Sequence, residues 1–252
     1  VKILVTAKRV TDPYSKIVLK PDRSGIQTDN VEFKMNPFCE IAVEEALRLV
    51  DAAGGGEIIV VAVGDEEATK EVRTALAMGA DRGVLVRADE RQLDSDVVAR
   101  ILVALVHKES PDLVVLGKQA IDGDNNQVAQ LTAEYLGWPQ ATFAYKIELT
   151  DGNKGARVQR EVDGGVETVE VTLPAVLTTD LRLNEPRYAS LPGIMKAKKK
   201  PLDEVTPADL GVDTALKVET VGFEPPSGRK AGVKVKTVDE LIEKLAGEAK
   251  AL

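Results

Sequence analysis

Three short, mainly apolar runs, Ile3 to Thr6, Ile58 to Val63 and Leu113 to Leu116, constrain this chain more than any other feature. They are too short for buried helices and rich in β-branched residues, so they read as strands covered on both faces. Val84 to Val86 adds a fourth. Between them lie helical patterns at Pro37 to Ala53, Glu66 to Met78, Ser95 to Lys108 and Asn125 to Leu136. Such alternation predicts an α/β fold: a Rossmann-like open, mainly parallel sheet with helices on both faces.

The first helix is the best punctuated. Asn36 can cap its free amides, Pro37 suits a first turn because it lacks an amide hydrogen, and Gly54-Gly55-Gly56 ends it. After Trp138-Pro139 the pattern becomes extended at Phe143 to Leu149, Ala156 to Val162 and Val166 to Leu173, with turn residues at Asp151-Gly152 and Asp163-Gly164-Gly165. An antiparallel hairpin extension over 141–174 and a return strand at Ala175 to Thr179 follow. From Asp180 prolines punctuate a long C-terminal arm, of the kind that is disordered or wraps something. Thr237 and Glu240 form a capping box for a last helix, whose stripe of Val238, Leu241, Ile242 and Leu245 should dock. The expected organisation is an α/β domain over 1–180, a segment at 181–201, and an arm over 202–252.

Composition removes several functions. One histidine, His107, and one cysteine, Cys39, cannot build a His/Cys zinc cluster, and no metal site is expected. A hydrolytic triad would have to use His107, which falls at a predicted helix end and reads as a surface or structural residue. A net charge of -8 without a long basic face disfavours nucleic acid and anionic membrane. The single cysteine, and the lack of a leader or an apolar run long enough to span a bilayer, lead us to expect a reducing, aqueous compartment.

Open parallel sheets bind ligands beyond the carboxyl ends of their strands, so the loops after Val5, Val63 and Leu116 should converge on a site. The last of these, Gly117-Lys118-Gln119-Ala120-Ile121-Asp122-Gly123-Asp124-Asn125-Asn126-Gln127, runs into a helix whose free amides could receive a phosphate. Asp122 and Asp124 equally suit ordinary helix capping or ribose hydroxyls. No serine or threonine follows Lys118, and no GxGxxG is present, so neither a P-loop nor a standard dinucleotide fingerprint applies. Met35-Asn36-Pro37-Phe38-Cys39 is a second candidate, as a binding helix start or as core packing. The third is Leu181 to Lys200, a proline-restrained segment with apolar anchors and a basic end. Its lysines serve either as a solvated helix end or to steer an acidic partner.

The segment Leu181 to Lys200 resembles the recognition loop and signature of the electron-transfer flavoprotein beta subunit family. The resemblance continues in order through Ala7-Lys8-Arg9-Val10, Met35 to Ala46, Arg73 to Arg82 and Gly117 to Asp122. It implies an electron carrier rather than an enzyme, with no catalytic residue of its own. It also implies a heterodimer with an alpha subunit holding most of the FAD, and a structural AMP in the beta subunit. Carried over by motif, the AMP site comprises Thr6, Asn36, Pro37, Phe38, Cys39, Val63, Gly117, Lys118, Gln119, Ala120, Ile121, Asp122, Gly123, Asp124, Asn125, Asn126, Gln127 and Val128. Phe38 and Tyr14 would neighbour the partner's flavin.

The resemblance further implies electron transfer from flavin dehydrogenases, such as those oxidising acyl-CoA, toward a membrane quinone reductase. Docking would use Tyr188, Leu191, Pro192, Ile194 and Met195, with Lys196, Lys198, Lys199 and Lys200 as a basic flank. The implied location is bacterial cytoplasm, or the mitochondrial matrix in a eukaryote. Some members of the family bifurcate electrons and bind FAD where others hold AMP; Asn125-Asn126-Gln127 resembles the AMP type. The alternatives are that FAD-binding type, an adenine-nucleotide-dependent enzyme or stress-type nucleotide binder, and a purely structural binding module.

Overall fold

Ile3 and Val5 face one side of the first strand and Leu4 the other, and all are fully buried. This strand, β1 (Lys2–Thr6), belongs to a computed structural model that describes residues 1–228 and 231–251. A short antiparallel pair follows, β2 (Arg9–Thr11) with β3 (Phe33–Met35), and then α1 (Pro37–Ala52). Alternation continues through β4 (Glu57–Gly64), α2 (Thr69–Met78), β5 (Arg82–Arg87), α3 (Ser95–Glu109), β6 (Leu113–Gly117) and α4 (Val128–Leu136). Because side chains alternate along a strand, the sheet has two apolar faces. Ala42, Ala46, Val72 and Leu76 of α1 and α2 cover one; Ile101, Leu102, Leu105 and Ala133 of α3 and α4 cover the other.

β7 (Gln140–Thr150), β8 (Gly155–Val162) and β9 (Gly165–Thr172) form the antiparallel extension, and β10 (Ala175–Thr179) returns to the centre. The extension grows out of the main sheet: the start of β7 pairs parallel with β10, and its remainder pairs antiparallel with β8. A register shift between Leu177 and Thr179 marks the transition, where Phe143 takes a left-handed φ of 60° and its amide donates to Thr178 Oγ1 at 2.8 Å.

Two helix starts differ from expectation. Glu66–Ala68 is a 3-10 turn before α2. α4 begins at Val128 rather than Asn125, because Asp124 and Asn126 both adopt a φ of 49°, which a right-handed helix cannot include.

The arm is more regular than its sequence suggested. It contains α5 (Leu191–Ala197), capped by Ser190, and β11 (Leu202–Val205), which adds a parallel strand beside β5. Among the described residues the sheet therefore has nine strands, in the order β11-β5-β4-β1-β6-β10-β7-β8-β9. Beyond β11 the chain wraps α3. The amides of Lys217 and Val218 donate to Asp94 at 2.6 and 3.1 Å, and Arg100 donates to the carbonyls of Asp213 and Ala215.

Residues 18–27 and the segment from 221 onward make a second unit. Within it Arg23 pairs with Glu224 at 3.0 Å, and the last helix, α6 (Val238–Gly247), is capped by Thr237 Oγ1. Glu240 turns its carboxylate to the Lys236 amide at 2.8 Å, not to that of Thr237. Contrary to expectation, the α6 stripe is not buried: Val238, Leu241 and Ile242 are exposed.

Candidate functional site

The chain passes from β1 to β4 on one side and later returns to β6 on the other, so strand order reverses between β1 and β6. Loops leaving neighbouring strands there diverge to opposite faces and leave a crevice between them. A cavity of about 350 Å³ lies at this point, within the range of small-ligand sites. Its walls come from Thr6 to Arg9 after β1, Asn36 and Cys39 at the head of α1, Val63 and Gly64 ending β4, and Gly117 to Ala120 with Asp122 to Ala129 after β6.

Asn36 organises these walls. It is 1% exposed and does not cap α1 with its side chain, as the sequence had suggested. Instead its Nδ2 donates to the Gln119 carbonyl at 2.8 Å, and its Oδ1 accepts from the Ile121 amide at 3.2 Å. Its own amide donates to the Lys8 carbonyl at 2.8 Å. Gly117 permits the same approach: a Cβ there would lie 2.6 Å from Phe38 Cβ. Thr179 Oγ1 ties in β10 by donating to the Phe38 carbonyl at 3.0 Å.

Each lysine or arginine lining the cavity faces a carboxylate. Lys8 Nζ contacts both Asp122 oxygens at 2.8 Å. Arg9 stacks 4.0 Å from the Phe33 ring centroid and lies 3.5 Å from buried Glu71. Lys118 donates to Asp180 Oδ2 at 2.7 Å between the rings of Phe38 and Phe143. Burial pushes the Asp180 carboxyl up, but the Lys118 bond and charge outweigh it and hold the group below its ordinary range. Burial pushes the Cys39 thiol up, away from the thiolate form.

Helix α4 opens on this cavity through Val128 and Ala129. Its first turn has no acidic residue, and Gln127 supplies no side-chain cap. Among the described residues no side chain caps the first turn of α4, which suits its amides to an incoming acceptor. By contrast Asp94, at the head of α3 on another wall, already caps the Val97 amide at 2.8 Å.

Of the expected site residues, Pro37, Phe38 and Ile121 stand behind the wall; the others line it. Phe38 packs against Gly117, and Ile121 is held by Asn36. Sequence reasoning missed Lys8, Arg9, Glu90, Leu93, Asp94, Ser95 and Val98 as wall residues. The signal for the last five was present: they follow β5, another parallel strand whose carboxyl end faces the same way. Tyr14 lies well away from packing, with 93% of its surface exposed.

The segment after Asp180 is pinned to α1. Arg187 Nε donates to Glu44 Oε2 at 2.7 Å, and Asn184 Nδ2 donates to the Ile41 carbonyl and to Glu45 at 3.1 and 3.0 Å. α5 then settles on α2, where a Cβ on Gly193 would meet the Ala77 carbonyl oxygen at 2.7 Å. Arg73 donates to the carbonyls of Ala197 and Lys200 at 2.7 and 2.8 Å. Tyr188 and Leu191 remain 96% and 80% exposed, and Pro192, Ile194 and Met195 also face solvent. Lys196, Lys198 and Lys199 are exposed, but Lys200 departs from the expected basic flank. Its Nζ reaches the carbonyls of Leu76, Gly79 and Ala80 at 3.1, 3.2 and 2.5 Å, closing the end of α2.

Fold and crevice together define an open-sheet α/β protein with a ligand-type cavity at its strand-order reversal. The chain matches the electron transfer flavoprotein domain family over residues 24–210. It is 54% identical over 251 residues to the electron transfer flavoprotein subunit beta of Bradyrhizobium diazoefficiens, covering 100% of both chains. It is 54% identical over 248 residues to the mitochondrial subunit beta of Arabidopsis thaliana, covering 98% of each. To the subunit beta of Homo sapiens it is 53% identical over 247 residues, covering 97% of this chain and 96% of that one. The chain therefore belongs to the electron transfer flavoprotein family, among its beta subunits, and its work is electron transport by a flavoprotein. Among the described residues, no helix is long and apolar enough to cross a membrane.

Proposed function

We propose that this chain pairs with an alpha subunit, holds AMP in its crevice, and docks flavin dehydrogenases, such as acyl-CoA dehydrogenases, whose electrons pass on to a membrane quinone reductase. The observation that carries this reading is the contrast within one segment. Its stem and flank are held by Glu44, Glu45, Arg73 and Lys200, while Tyr188, Leu191, Ile194 and Met195 face outward. Exposed apolar residues on a fixed mount suit recognition, since little ordering entropy is lost on docking.

AMP fits the cavity by its volume and by the first amides of α4, with Asn36 and the loop from Gly117 to Gln127 shaping the wall. The paired lysines and arginine offer no dense cationic site for a polyphosphate, which favours AMP over a nucleotide-hydrolysing enzyme. FAD, held mainly by the alpha subunit, supplies the electron-carrying chemistry when bound. This chain then contributes no acid, base or nucleophile; it positions and excludes water, with Phe38 and Tyr14 as its proposed flavin neighbours. The compartment proposed is bacterial cytoplasm, with the mitochondrial matrix as the eukaryotic counterpart.

Acid extraction of the purified complex tests the ligand reading: one FAD and one AMP per heterodimer supports it. Two FAD would indicate the bifurcating type, and a colourless protein turning over ATP would indicate a different function. For docking, Leu191→Ala should leave both cofactors in place and weaken dehydrogenase binding. Burying one leucine contributes roughly 1.5–3 kcal/mol, or about 10- to 150-fold in affinity. Unchanged transfer kinetics in that variant would remove Leu191 from the interface.

A further inference from the structure

We propose that Lys8 and Asp122 form a latch across the rim of the crevice that sets how long a nucleotide stays bound. The proposal rests on the reading that the crevice holds a nucleotide. Lys8 follows β1 and Asp122 follows β6, the two strands at which the sheet order reverses, so their contact bridges the divergent loops. Both residues line the cavity while their side chains are 50% and 33% exposed, which places the pair where cavity meets solvent.

The pair is preorganised by one residue. Asn36 fixes the Lys8 end through its amide and the Asp122 end through its side chain, which grips Gln119 and Ile121. The Gly123 and Asp124 amides fold back on the Ala120 carbonyl at 3.3 and 2.9 Å, turning Asp122 toward Lys8. Neither other wall cation makes this bridge: Arg9 is drawn to Glu71, and Lys118 to Asp180. A half-exposed ion pair adds little to equilibrium stability. It must nevertheless open whenever a ligand enters or leaves across the rim, so its effect falls on the rates of exchange, the exit that ends residence included, rather than on affinity. Lys8 and Asp122 act here as positioning residues.

The test uses the full-length chain in its purified complex, loaded with labelled AMP and chased with excess unlabelled AMP. Lys8→Met and Asp122→Asn should each accelerate exchange about two- to fivefold. The double variant should be no faster than either single, as a shared interaction requires. Raising salt should speed exchange in the unmodified protein, because exposed charges are screened, and have little effect in the variants. Bound AMP with unchanged exchange in both single variants, or additive acceleration in the double, would overturn the latch while sparing the nucleotide reading. Absence of AMP from the acid extract of unmodified protein would overturn both.

Discussion

At the scale of single residues, Asn36 shows how a correct motif can serve another purpose. Asn-Pro before an apolar helix is a cap signature, and α1 does begin at Pro37, but the amide side chain is spent on the Gln119–Ile121 loop. Sequence spacing shows which residue precedes a helix; it does not show which loop arrives beside it 83 residues later. Asn36→Asp keeps the acceptor and loses the donor, leaving the half-buried Gln119 carbonyl without its partner. The expected cost is about 1–3 kcal/mol, read as a lower thermal midpoint together with faster loss of the AMP proposed for the crevice. Glu44 gives a pH prediction. Burial pushes this carboxyl up, but hydrogen bonds from Arg187 and Arg48 outweigh burial and set it below its ordinary value. A lowered carboxylate contributes stability that is present above the unfolded pKa of about 4.3 and lost as pH falls through the folded value. Arg187→Met should destabilise the protein by about 1–3 kcal/mol, less than for a fully buried pair because Arg48 remains and Arg187 is partly exposed. Acid unfolding should also begin at higher pH, and denaturant midpoints between pH 3 and 7 would reveal either change.

At the scale of elements, the central sheet was legible because each core strand is buried on both faces and has no alternative reading. Ile58 to Val63 could hardly be anything else. β11 was not legible: Leu202–Val205 carries two acids and lies half in solvent, so it presents neither an apolar run nor alternation. The late start of α4 was hidden too, since left-handed Asp124 and Asn126 are fixed by the fold of the loop, not by composition. The lysine run divides for a similar reason. Lys200 alone falls where the carbonyls ending α2 converge, while Lys196, Lys198 and Lys199 point outward. Lys200→Met should cost stability, about 0.3–1 kcal/mol for an exposed helix terminus and up to about 2 kcal/mol when partly buried, without altering the salt dependence of docking. Neutralising Lys196, Lys198 and Lys199 should do the reverse, slowing association and flattening its salt dependence while leaving the thermal midpoint in place. Stopped-flow association at several ionic strengths, alongside melting curves, separates the two roles.

At the scale of the whole molecule, the crevice and the segment mount are built from the core of the α/β unit, while among the described residues the apolar stripe of α6 in the second unit stays exposed. Thr237 announced α6 correctly as its cap, though Glu240 accepts from the Lys236 amide, and the apolar stripe was legible; what the sequence could not reveal was what covers that stripe. Leu241 and Ile242 are exposed, and an amphipathic helix of 10 residues has little stability without packing. If the alpha subunit covers this stripe, polar substitution there costs nothing in the isolated chain and weakens the heterodimer. Full burial of a leucine or isoleucine contributes roughly 1.5–3 kcal/mol, and a half-exposed residue retains about half of that to be gained on association. Leu241→Ser with Ile242→Ser should therefore weaken subunit affinity by about 10- to 150-fold. Sedimentation across a dilution series should show the variant heterodimer separating at higher concentration than the unmodified one, with the melting midpoint of the separated beta chain unchanged. Undiminished subunit affinity would mean that α6 meets a different surface, and a lowered midpoint in the separated chain would mean that the stripe packs against its own chain.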